Sequence, residues 1–175
     1  MAITVKNYLV TIIALCGFVT AIAQKKSTPS LRLGATVSFN LWHLASNNVG
    51  LGGIAGAEKR IGNFFAAEAE ASYNYFIGDK SLYAGSKNKA FTIPVMAGIK
   101  AYPFPNMYFS LRSGAAFFQL NGMNSAEVRW IYGAAAGINL PQKSNRINVQ
   151  LGYSEFPDNG IRRGYTTLAT AIIIN

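Results

Sequence analysis

Between residues 91 and 114 the chain reads FTIPVMAGIKAYPFPNMYFSLRSG. Phe91, Ile93, Val95, Ala97, Ile99 and Ala101 are apolar, and Thr92, Pro94, Met96, Gly98 and Lys100 lie between them. Side chains alternate across a strand with a period of two, so this spacing predicts an extended strand with one apolar face. After Pro103-Phe104-Pro105-Asn106 the alternation resumes, with Met107, Phe109 and Leu111 against Tyr108, Ser110 and Arg112. Two such runs around a turn predict a β-hairpin. Pro94 falls in the middle of the first run. Proline cannot donate to a sheet ladder, so a bulge or a skipped ladder bond is expected there.

The same rhythm fills the chain beyond residue 30. It predicts strands at 31–42, 48–58, 63–76, 90–102, 107–118, 127–139, 146–154 and 165–174. No stretch of this part has helical periodicity of useful length. The connections at 59–62, 103–106 and 140–145 are short, whereas 77–89 and 155–164 are longer and rich in Gly, Ser, Asn, Asp and Lys. Those at 43–47 and 119–126 lie between. An even strand number, with short turns at one end and longer loops at the other, predicts an all-β, eight-stranded antiparallel up-and-down transmembrane β-barrel. The short turns would face the periplasm and the loops the exterior.

The faces differ in character. Ala67, Ala69, Ala71, Tyr73 and Tyr75 share one side of the third strand; Glu68, Glu70, Ser72 and Asn74 share the other. Ile147, Val149, Leu151 and Tyr153 oppose Arg146, Asn148, Gln150, Gly152 and Ser154 in the seventh. An eight-stranded barrel is just wide enough for side chains to fill. A polar inner face therefore predicts a plugged lumen with no open pore. Glu68 and Glu70 would meet Arg112 and Arg129 there, with Lys100 and Arg146 as further members. Unpaired buried charges are costly, so these must pair. Aromatic residues gather at strand ends. Trp42, Tyr73, Tyr75, Phe76, Phe91, Phe117, Phe118, Trp130, Tyr132, Tyr153 and Tyr165 fall at the loop end, and Phe64, Phe65, Tyr102, Phe104, Tyr108 and Phe109 at the turn end. Two girdles around an aliphatic band are expected at lipid–water boundaries.

The N-terminus adds a location. Lys6 precedes an uncharged apolar run, Tyr8 to Ala23, that closes on Ala21-Ile22-Ala23. This predicts a cleaved secretory signal at residues 1–23, with the barrel domain at 24–175. A lipoprotein signal using Cys16 is the rival, but Leu15 before it is not small. Cleavage would remove Cys16, the one cysteine, so neither disulfides nor thiol chemistry is expected in the mature chain. The chain carries 16 Lys and Arg against 7 Asp and Glu. In an exported protein such an excess either serves solubility or meets lipid or lipopolysaccharide phosphates, rather than nucleic acid. Lys80, Lys87, Lys89, Arg162 and Arg163 in the outer loops are the candidate contacts.

Chemistry-bearing motifs are sparse. Gly50-Leu51-Gly52-Gly53-Ile54-Ala55-Gly56 lacks the following helix and the Lys-Ser/Thr of a phosphate loop. It is better read as a wall in which neighbouring strands crowd. His43 is the single histidine, which makes no zinc site. Together with Asp79 and Ser81 it matches the residue types of lipid A-modifying barrels, without a spacing motif.

Phe91-Thr92-Ile93-Pro94-Val95, running on to Lys100-Ala101-Tyr102-Pro103-Phe104, resembles the Ile-Pro-Leu strand of the porin-family, PorT-like outer-membrane β-barrel proteins. These small barrels resemble the outer-membrane-protein-A domain of Gram-negative bacteria. Ser113-Gly114-Ala115-Ala116, Tyr132-Gly133-Ala134-Ala135-Ala136-Gly137-Ile138 and Leu151-Gly152-Tyr153-Ser154 are similar to further family strands, in order. Gly152 stands where the family usually has Arg. The last strand ends Ile172-Ile173-Ile174-Asn175, without the terminal aromatic that the barrel-assembly machinery reads. The resemblance implies the fold and an outer-membrane location, and carries over no active residue.

The chain is therefore expected to be an integral protein of the cell outer membrane, exported through the Sec pathway, with a structural or interaction role. It is expected not to be an enzyme and to bind no cofactor or metal. Expected partners are outer-membrane lipid and lipopolysaccharide, and the barrel-assembly machinery during insertion. Two alternatives stand beside this reading. One is a soluble periplasmic lipocalin-like barrel, which needs an apolar lumen. The other is a lipid A-modifying enzyme using His43, Asp79 and Ser81.

Overall fold

A computed structural model describes residues 28–42, 49–80, 87–119, 126–141, 146–158 and 160–174. The expected signal segment, His43 and Ser81 lie outside these residues. Eight strands follow one another: β1 (Ser30–Trp42), β2 (Val49–Ile61), β3 (Phe65–Lys80), β4 (Lys87–Phe104), β5 (Met107–Gln119), β6 (Glu127–Pro141), β7 (Arg146–Asp158) and β8 (Ile161–Ile174). Each pairs antiparallel with its chain neighbour, and β1 pairs with β8 to close the barrel. Closure leaves no free edge through the body of the sheet, so the ladder satisfies the backbone without water. The shortest strands have 13 residues. At a tilt of about 45° such a strand rises about 30 Å, the thickness of a bilayer's hydrocarbon core.

Two expected loops are shorter than the sequence suggested. β3 and β4 run on until Lys80 faces Lys87, and β7 and β8 until Asp158 faces Ile161. Gly160 adopts a φ of 81° there, a left-handed conformation suited to a tight hairpin turn. Asn159-Gly160 carries that signal in the sequence, masked by the surrounding polar residues.

Pro94 causes the defect expected of it, and its form is a skipped bond, not a bulge. The β3–β4 register is the same on both sides of it, with Ala71 opposite Val95 and Asn74 opposite Thr92. The intervening Ser72–Pro94 and Tyr73–Ile93 pairs are missing. Both pairs depend on the N–H that proline lacks. On the other side Pro94 pairs normally with Ala116.

The faces divide as the period-two pattern requires. Val95, Ile99, Leu111, Leu151 and Leu168 point outward and are exposed, Leu111 to 72 %. Ala66, Glu68, Glu70, Asn74, Lys100, Ser110 and Arg112 point inward and are buried. The aromatic residues divide too, which corrects the simple two-girdle picture. Tyr73, Phe117, Trp130 and Tyr132 at the loop end, and Phe64, Phe65, Phe104 and Phe109 at the turn end, are exposed on the outer wall. Phe76, Phe118, Tyr165, Tyr102 and Tyr108 are buried inside. Adjacent residues such as Phe117 and Phe118 face opposite sides of a strand, so a cluster of rings at a strand end supplies both surfaces.

Candidate functional site: a charged, sealed lumen

The middle of the lumen is built by inward side chains of β1 to β5. Glu58 and Glu68 sit directly opposite each other on β2 and β3. Like charges placed so repel. Lys100 of β4 reaches between them, its Nζ 2.8 Å from Glu58 Oε2 and 3.3 Å from Glu68 Oε2. Arg32 of β1 places Nη2 3.6 Å from Glu68 Oε2 and donates to Glu70 Oε2 at 2.5 Å. Arg112 of β5 donates to the other oxygen of Glu70. At the turn-end mouth Arg60 Nε stands 3.5 Å from Glu58 Oε1. The charges thus alternate in sign along one line: Arg112, Glu70, Arg32, Glu68, Lys100, Glu58, Arg60. Every carboxylate lies between two cations, which offsets the desolvation of the buried members.

Glycines make room for these long side chains. Gly56 pairs with Arg32 on one side and Glu70 on the other. Gly98 pairs with Glu68 and with Arg112. A Cβ on Gly98 would stand 2.1 Å from the Leu111 carbonyl oxygen, and one on Gly52 1.7 Å from that of Tyr73. Gly50, Gly52 and Gly56 thus stand in a crowded barrel wall, whereas a Cβ on Gly53 would meet only the Gly34 carbonyl oxygen, at 3.6 Å.

The charges continue into neutral polar side chains. Arg32 Nη1 donates to Gln150 Oε1 at 2.8 Å and to the Tyr108 hydroxyl at 3.2 Å. Asn148 Nδ2 donates to Asn139 Oδ1 at 2.8 Å. Towards the loop end, Asn74 Oδ1 accepts from Thr36 and Ser38 hydroxyls at 3.1 and 2.9 Å.

An apolar layer then closes the loop end. Phe118 and Phe156 lie with ring centroids 4.7 Å apart, and Phe76 meets Tyr165 edge-on at 5.6 Å. Ile131, Met96, Ala90 and Ala116 complete the cluster. At the turn end, Tyr102 and Tyr108 lie 5.6 Å apart, and the Arg60 guanidinium stacks 3.3 Å from the Tyr102 ring centre. A small cavity there, lined by Arg32, Glu58, Lys100 and Asn148, has a volume of about 10 Å³. That is room for about one water.

The expected cluster members fare differently. Glu68, Glu70 and Arg112 come together in the lumen, and Lys100 joins them. Arg129 does not. It is on the inward side of β6 but opposite Ala116, whereas Arg112 is opposite Gly133, four residues nearer the turn end. There Arg129 Nη2 pairs with Glu127 at 2.5 Å, with both side chains about one-third exposed. Arg32 and Glu58 are central members that the sequence reading missed. Their signal was their parity with Thr36 and Gly56 on inward faces. Among the expected phosphate contacts, Lys80 faces Lys87 and Lys89 faces Ile77 at the β3–β4 hairpin end. Arg162 and Arg163 lie on β8, opposite Pro157 and Phe156. Among the described residues no group of three His, Cys, Asp or Glu side chains is placed to hold a metal.

No protein-family model and no curated protein matches the chain. Solved structures do. Neisserial surface protein A is 13 % identical, with 85 % of this chain and 97 % of that one covered and a TM-score of 0.60. The attachment invasion locus protein Ail of Yersinia pestis, solved in complex with the heparin analogue sucrose octasulfate, is 12 % identical at a TM-score of 0.58, covering 83 % of this chain and 97 % of that one. The N-terminal β-barrel domain of Pseudomonas aeruginosa OprF is 11 % identical at a TM-score of 0.51, with 83 % and 97 % covered. What the chain shares with these proteins is the closed eight-stranded barrel fold.

Proposed function

We propose that this chain is an integral outer-membrane β-barrel whose lumen is filled by its own side chains, with a structural or interaction role rather than a transport one. The observation that carries the reading is the inverted partition of the side chains. Leucine, isoleucine and aromatic rings cover the outside, while Arg32, Glu68, Glu70, Lys100 and Arg112 are buried within. A water-soluble barrel places these two sets the other way round. A lipocalin-like reading would need an apolar lumen, and the centre of this one is an ion chain. The reading extends to export through the Sec pathway, cleavage after Ala23, insertion by the barrel-assembly machinery and membership of the PorT-like porin family. Ile93-Pro94-Val95 and the strand motifs that follow support the last of these. Lipid and lipopolysaccharide are the proposed partners, and no catalytic role is assigned. Cell fractionation with a gel run before and after boiling tests the location. Outer-membrane recovery with heat-dependent mobility is expected; a soluble periplasmic protein would refute it. Planar-bilayer recordings test the seal, and stable open-channel currents would contradict it.

A further inference from the structure

The outer wall carries one carboxylate among the described side chains, and it is not free. Glu155 shares the outward face of β7 with Leu151 and Tyr153, yet it is only 6 % exposed. It sits directly between Tyr132 of β6 and Gly164 of β8. The Tyr132 hydroxyl donates to Glu155 Oε1 at 2.6 Å, and the Tyr153 hydroxyl donates to Oε2. Arg162, one position further along the same face of β8, places Nε 3.6 Å from Oε1 and leaves its side chain 80 % exposed. The carboxylate therefore takes the Nε side of the guanidinium. Among the described residues no hydrogen bond or ion pair uses the two terminal nitrogens, which are open to a ligand. A planar guanidinium with two parallel donors matches the oxygens of a phosphate.

The position selects the ligand. Trp130 and Tyr132 are exposed on the wall beside the cluster, and Leu151 and Leu168 continue the apolar band towards the turn end. An anion bound at Arg162 would have its apolar part lying along that band. We propose that Arg162, oriented by Glu155 and the Tyr132 and Tyr153 hydroxyls, is a binding site for a phosphate group of lipid A at the loop-end border of the apolar wall. This rests on the reading of the chain as an outer-membrane barrel with its loops outward, and it singles out Arg162 among the basic residues near the loops.

The test is native mass spectrometry of the full barrel in a phosphate-free maltoside detergent, with lipid A, dephosphorylated lipid A or inorganic phosphate added. Wild type should retain lipid A, and removing the lipid's phosphates should weaken retention about tenfold, the ratio that 1.4 kcal/mol makes. Arg162→Gln should weaken lipid A retention by a similar factor, and Arg162→Lys should fall between, keeping the charge without the fork. Equal retention by all three side chains, or equal retention of the dephosphorylated lipid, overturns the site. Displacement of lipid A by an equal concentration of inorganic phosphate also overturns it, since the free ion would then be the ligand. Gel mobility before and after boiling, run on the same samples, separates the two readings. A wild type without heat-dependent mobility sinks the membrane reading itself, whereas a folded barrel indifferent to Arg162 sinks this inference alone.

Discussion

The Tyr108 ring occupies the space that a side chain on Gly137 would need: a Cβ there would stand 2.4 Å from Tyr108 Cζ. The two residues are direct neighbours across β5 and β6. Tyr108 is 1 % exposed and its hydroxyl bonds Asn148 and Gln150, so the ring cannot swing away without breaking those bonds. Gly137→Ala should therefore destabilise the barrel by about 1–3 kcal/mol, the range for overpacking. Unfolding midpoints in detergent would measure this. In a Tyr108→Ala background the same substitution should cost much less; an equal cost in both would show that the ring is not what Gly137 accommodates.

The ion chain should behave as a unit. Arg32 is the link between Glu70 and Glu68, and Arg32→Met leaves both with one cation fewer. Removing one partner of a buried pair costs about 3–5 kcal/mol. In a Glu70→Gln background Arg32→Met should cost less than in the wild type, because the ion pair between the two is already gone. Denaturant unfolding of the two single variants and the double variant gives the coupling energy. Strictly additive losses would mean that Arg32 and Glu70 do not act together.

The outer wall offers a contrast between bilayer and water. Ala69 faces outward on β3, midway between the exposed rings of Phe65 and Tyr73, and pairs with Ala57 and Ala97 of its neighbours. Arginine there should cost about 2–4 kcal/mol if the residue meets the bilayer midplane. On a water-facing surface the same change should stay within about 0.5 kcal/mol. Refolding of Ala69→Arg into lipid vesicles distinguishes these outcomes.

Much of this architecture is written in the parity of the sequence. Ile93, Val95 and Ile99 face outward and Lys100 and Arg112 inward, as alternation requires. The skipped bond at Pro94 follows from the chemistry of one residue. What parity does not encode is height along the lumen. Arg129 has the inward parity of its strand but sits near the loop mouth, because the register that sets its level comes from pairing across strands. Arg32 and Glu70 are 38 positions apart in the chain, and the registers of β1 and β3 on the strand between them bring them together, on either side of Gly56. The inward aromatic lid was hidden for another reason. Phe76 and Phe118 follow Tyr75 and Phe117, and a pair of rings reads as one cluster unless each is assigned to its own face.

In an outer-membrane barrel of this kind the apolar face meets lipid and the charged face does not. Nitroxide spin labels placed singly at Leu111, Leu151 and Leu168, with a further label at the exposed turn residue Asn106, test it in reconstituted bilayers. Oxygen, which dissolves in lipid, should relax the three wall labels strongly, while a water-soluble nickel complex should reach the Asn106 label alone. Access of the nickel complex to all three wall labels would contradict it.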